Sequence, residues 1–209
     1  MPALTADRSP DQLVAELERL IGVDWPTVWA GVPEDAEKRA RWCAGFDWRP
    51  LWAEAGLRVR TALGGRLYLA SAAPGGPVTR IDHTVWSARA RDTDENALVT
   101  DLAETRWTAC LTALRGLLGN PTWHGTWDTP DFPELPGRGP WPDAGWRAQY
   151  QDPHRVAVWR FRVAQAPVFE LRATLGATAR RGPVPANARI ELVCHDPDHA
   201  ESRRQARRG

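Results

Sequence analysis

The sequence predicts an α+β fold: a single, mostly antiparallel sheet of about six strands, with helices packed on one of its faces. Three observations predict it. Residues 57–63 alternate apolar and polar side chains at period two and run into Gly64-Gly65, a two-residue hairpin signal. Apolar residues recur at helical spacing through Leu13, Leu17, Leu20 and Ile21, and over a much longer stretch at 94–118. The order is helices, strands, a long helix, an insertion and strands again. Its short links between strands suit antiparallel pairing with helices segregated to one face.

Residues 1–8 read as a flexible lead, followed by one domain over 9–195. Ser9 caps the first helix, Pro10 suits its first position, and Gln12 completes a capping-box spacing before Gly22 stops it. A second helix is predicted over 33–44. Glu34/Lys38 and Asp35/Arg39 pair along it, and Ala36, Ala40 and Cys43 form its apolar side. A short helical turn is expected at 49–55. Strands follow at 57–63, 66–71 and 78–89, with Ile81, His83 and Val85 sharing one face of the third. The long helix carries an apolar stripe through Leu98, Leu102, Thr105, Ala109, Ala113 and Leu117, widened by Cys110, Leu114 and Leu118. Gly119-Asn120-Pro121 ends it. Residues 120–145 form an insertion with six prolines and no regular period. Strands are expected again at 146–151, 156–163, 168–175 and 189–194. The charged stretch 196–209 reads as a disordered tail.

A chain of 209 residues with 43% hydrophobic and 25% charged side chains can bury a core unaided. No apolar run approaches the roughly 20 residues that span a bilayer, and the opening residues lack a secretory pattern, so a cytoplasmic protein without membrane contact is expected. Three separated cysteines, Cys43, Cys110 and Cys194, fit neither a disulfide framework nor a zinc motif. The net charge of +1 argues against bulk electrostatic binding of nucleic acid. That charge is unevenly divided. Residues 1–144 carry 15 basic and 20 acidic side chains, and residues 145–209 carry 12 and 6. The basic half, with Arg160, Arg162 and Arg172 on its strands and Arg203, Arg204, Arg207 and Arg208 in its tail, could meet an acidic partner.

Residues bearing chemistry are sparse. His195-Asp196-Pro197-Asp198-His199 holds ligand-type side chains, but Pro197 forbids a helical pair of histidines. His83 on a strand face could serve as a general base near the acids of the long helix, which is the alternative, enzymatic reading. No phosphate loop, nucleophile elbow or HExxH motif occurs, so no catalytic, cofactor or metal residue is assigned. The positive signal lies in the insertion. Trp123, Trp127, Phe132 and Trp141 stand among Asp128, Asp131 and Glu134 on a proline-stiffened segment, as protein-recognition anchors do.

The run Leu114-Arg115-Gly116-Leu117-Leu118-Gly119-Asn120-Pro121-Thr122 resembles the helix-ending L-L-G-x-P-T of small actinobacterial proteins of unknown function. Trp146-Arg147 with the strands after it, Asp24-Trp25, and Gly45-Phe46-Asp47-Trp48 are similar to the same families. Some of these families resemble immunity proteins of polymorphic toxin systems, and the element order is similar to that of secretion chaperones. The resemblance implies a non-enzymatic protein that sequesters or escorts a protein partner, a toxin or secreted effector, as an immunity protein or adaptor does. Nucleic-acid contact through the basic C-terminal half is a further alternative.

Overall fold

The computed structural model describes residues 1–53, 56–133, 144–163, 165–176 and 184–198. In chain order the elements are β1 (Ala3–Asp7), α1 (Pro10–Ile21), α2 (Trp25–Trp29), α3 (Ala36–Ala44), β2 (Trp48–Ala53), β3 (Leu57–Thr61), β4 (Arg66–Ser71) and β5 (Val78–Arg89). A 3-10 turn (Thr93–Glu95) then leads into α4 (Asn96–Leu118), β6 (Trp123–Gly125), α5 (Ala144–Tyr150), β7 (Arg155–Trp159), β8 (Val168–Leu175) and β9 (Asn187–His195). The strands form one antiparallel sheet in the order β2-β3-β4-β5-β9-β8-β7-β6, and β1 pairs with the last residues of β5.

The α+β class and the antiparallel sheet are as expected, but the sheet has nine strands rather than about six. β1 lies in the expected flexible lead, β2 replaces the expected helical turn, and β6 lies in the insertion. β1 and β2 carry no apolar–polar alternation and β6 is only three residues long, so each exists because a neighbouring strand supplies its ladder. Pro50 and a register slip between Pro50 and Trp52 mark β2 as an edge strand. Conversely, part of 146–151 is helical, in α5.

α1 begins as its sequence dictates. The Ser9 hydroxyl accepts from the Gln12 N–H at 3.2 Å, and the Gln12 side chain accepts from the Ser9 N–H at 3.0 Å. Asp35 caps α3 by accepting from the Lys38 N–H at 2.8 Å. Helices α1 to α4 bury Leu13, Leu17, Val28, Cys43, Trp107 and Leu114 in one core with Leu57, Val59, Leu69, Ile81, Leu171 and Ile190 from the sheet. α4 is rotated from the expected stripe. Its core face is Val99, Ala103, Trp107, Cys110 and Leu114, whereas Leu98 and Leu102 are 44% and 38% exposed. The helix is apolar around much of its circumference, so helical spacing alone fits either stripe. On the opposite face of the sheet a small second cluster joins Val156, Val158 and Val168 to Trp123 and Phe132. Among the described residues no helix is long and apolar enough to cross a membrane.

Candidate functional site

Side chains alternate between the faces of a strand, so the pairing register fixes which of them share the face turned away from the helices. One row crosses the whole sheet: Trp52, Arg58, Tyr68, Asp82, Val193, Glu170, Val158 and Trp123 are successive cross-strand partners. At roughly 4.8 Å per strand it spans about 34 Å. Two residues along, Arg49, Arg60 and Arg66 stand directly opposite one another on β2, β3 and β4. The same face carries Arg80 beside His195 and Val168, and Thr84 beside Glu191, Arg172 and Val156.

The two ends of this face differ electrostatically. Toward β8 and β9 the charges neutralise one another. Arg172 donates to Glu191 at 2.6 Å, Arg189 reaches the same carboxylate at 3.4 Å, and Arg80 pairs with Asp82 at 2.9 Å. Burial pushes the Glu191 carboxyl up, but Arg172 and Arg189 outweigh it and hold the group below the usual carboxylate range. Glu170 and His195, both fully buried, share a 2.6 Å hydrogen bond. Toward β2 to β4 the balance is lost. The Arg58 guanidinium lies over the rings of Trp52 (5.8 Å) and Tyr68 (5.3 Å). Arg49, Arg60 and Arg66 are exposed, and no carboxylate among the described residues pairs with them. Like charges directly opposite across strands repel, so this row costs the fold stability.

Two of the four expected insertion anchors come together. Trp123 meets Phe132 edge to face at 5.1 Å, and both lie against the apolar patch of β7 and β8. The Arg147 guanidinium covers Phe132 at 4.4 Å, and its Nε donates to the Trp127 carbonyl at 3.1 Å. Trp127 is half-buried. Trp141 lies outside the described residues, as do His199 and the tail arginines.

The other candidates are sealed or compensated. His83 is 1% exposed, its Nδ1–H donates to the Arg66 carbonyl at 3.0 Å, and none of the described pockets opens on the ring. Burial pushes the Cys43 and Cys110 thiols up to about 11 and Cys194 higher still, so none is poised as a thiolate. His195 is the last residue of β9, held by Glu170, and no group of three metal-ligating side chains forms among the described residues. Arg172, counted with the basic C-terminal half, is spent on Glu191.

The arginine row went unseen in the sequence. Arg58 and Arg60 fall on the polar positions of their strand, but setting Arg66 opposite Arg60 needs the hairpin register, and placing Arg49 needs β2. Division of charge by chain halves hid the row as well, because it lies in the acidic half. In comparisons with protein families, curated proteins and solved structures, the chain matches none.

Proposed function

We propose that this chain is a binding protein, adaptor-like or immunity-like, that holds an acidic protein partner on the β2–β4 end of its open sheet face. The observation that carries this reading is the row Arg49, Arg60 and Arg66, three exposed and directly opposed arginines without a carboxylate among the described residues. The fold gains nothing from that arrangement, whereas a partner's carboxylates would gain bidentate hydrogen bonds and relieve the repulsion. An acidic protein surface fits better than a nucleic acid. The exposed Trp52 and the Tyr68 ring already carry the Arg58 guanidinium, where a base would have to stack. A phosphate backbone running on across the sheet would next meet the Asp82 carboxylate, which Arg80 already pairs. The insertion aromatics Trp123 and Phe132 then serve to cover the other end of the same face.

The test is recovery of partners from the native host with the tagged chain, followed by titration of the purified partner. Changing Arg49, Arg60 and Arg66 together to Gln is expected to weaken binding by about tenfold or more and to reduce its salt dependence. Unchanged affinity in that variant, with loss of binding on changing Trp123 and Trp127 to Ala, would move the site to the insertion. Arginine-dependent capture of RNA or DNA alone would replace the protein partner with a nucleic acid.

A further inference from the structure

A cavity of about 330 Å³ opens between α1, the start of α2 and the chain entering β2, on the helix side of the sheet, the face opposite the arginine row. Glu16, Asp24, Asp47, Arg19, Phe46 and Trp48 are among the residues that line it. The cavity thereby brings Asp24, at the start of α2, near the Asp47-Trp48 pair that enters β2.

Glu16 is the unusual member. It projects from α1, is 1% exposed, and is a charged side chain buried beside Thr61, His83 and Arg8. Its Oε2 accepts from the Thr61 hydroxyl at 3.0 Å and from Arg8 at 3.4 Å. Its Oε1 accepts no hydrogen bond from any described residue, and the Glu16 side chain lines the cavity. Close approach fixes the carboxylate there: a Cβ on Gly65 would come within 2.5 Å of Oε2. A buried carboxylate with an open oxygen is costly unless a donor meets it. At the rim Asp24 and Asp47 add two further carboxylates, of which Asp47 is shared with Arg19 at 3.6 Å. Phe46 and Trp48, with ring centroids 4.9 Å apart, supply an aromatic wall.

We propose that this cavity binds an organic cation, a primary ammonium or guanidinium on a short apolar chain. The cationic head bonds Glu16 and the apolar stem lies along Phe46 and Trp48. A bare metal ion is the poorer fit, because the carboxylates do not converge as a ligand set. The volume lies at the small end of ligand sites, matching one such group rather than a large cofactor. The group can come as a free amine or as a lysine or arginine side chain of another protein.

Isothermal titration of the full chain with agmatine tests this, with butane-1,4-diol as the neutral control and an acetylated Gly-Arg-Gly amide as the side-chain form. Agmatine is expected to bind saturably and the diol not at all. Asp47→Asn is the safest variant, because Asp47 is exposed at φ 57°, a conformation that asparagine tolerates well. It and Glu16→Gln, checked for cooperative unfolding, are each expected to weaken binding about tenfold. Binding of the peptide but not of agmatine, with the same dependence on both carboxylates, assigns the site to a partner's side chain. No saturable heat from either probe, or binding by both variants as tight as by the unchanged chain, would overturn the proposal.

Discussion

At His83 burial decides the charge state, and stability inherits a pH dependence from it. Burial disfavours the imidazolium, opposed in part by the bond to the Arg66 carbonyl and by the Glu16 carboxylate, so the ring titrates below its ordinary value of 6.5. Between the folded value and 6.5 the unfolded chain therefore binds more protons than the folded one, and stability rises with pH across that window. Acidification below 6.5 should lower the unfolding free energy by up to about 1.4 kcal/mol per pH unit from this residue until the folded value is reached. His83→Gln should flatten that slope in urea unfolding measured across the same range, and an unchanged slope would show that the ring is not its source. Glu191 acts in a separate, more acidic window. Its depressed carboxyl contributes stability above the usual carboxylate range, and the contribution is lost as pH falls through the folded value.

At the scale of elements, α4 shows what helical spacing does and does not decide. The helix presents Val99, Ala103, Trp107, Cys110 and Leu114 to the core and leaves Leu98 and Leu102 outside. Leu114→Ala should therefore cost about 2–5 kcal/mol in denaturant unfolding, and Leu98→Ala roughly within 0.5–1 kcal/mol. Equal costs would mean that the packing side is misassigned. α1 was legible because its start is local chemistry: Ser9, Pro10 and Gln12 need no distant partner to form a capping box. The β3–β4 hairpin was legible because Gly64-Gly65 and the alternation around it are also local. β1, β2 and β6 were not legible, since each is a strand only through the neighbour it pairs with. The candidate site shared that fate. Its arginines were visible as residues, but their shared row exists only once three strands are in register.

Over the whole molecule, one sheet face is sealed by helices and the other carries a charge pattern that is neutralised at one end and uncompensated at the other. This asymmetry separates residues held for the fold from residues the fold merely tolerates. Arg172 belongs to the first kind: it is mostly buried, and its 2.6 Å bond to Glu191 places two charges in an environment poor in water. Arg172→Ala should cost about 3–5 kcal/mol, because it leaves the Glu191 carboxylate with the half-exposed Arg189 as its one described cation and a long bond from the Thr84 hydroxyl. Arg49, Arg60 and Arg66 belong to the second kind. They are exposed, mutually repulsive and without a described carboxylate. Replacing all three with Gln should leave stability unchanged within about 0.5 kcal/mol, or raise it as the repulsion is removed, with the gain largest at low salt. Denaturant unfolding of both variants at two ionic strengths makes the comparison. A loss of more than about 2 kcal/mol in the triple variant would make the row a structural element. The neutral or stabilising outcome would mean that the sheet keeps three opposed charges at its own expense, as surfaces committed to recognition do when stability and function conflict.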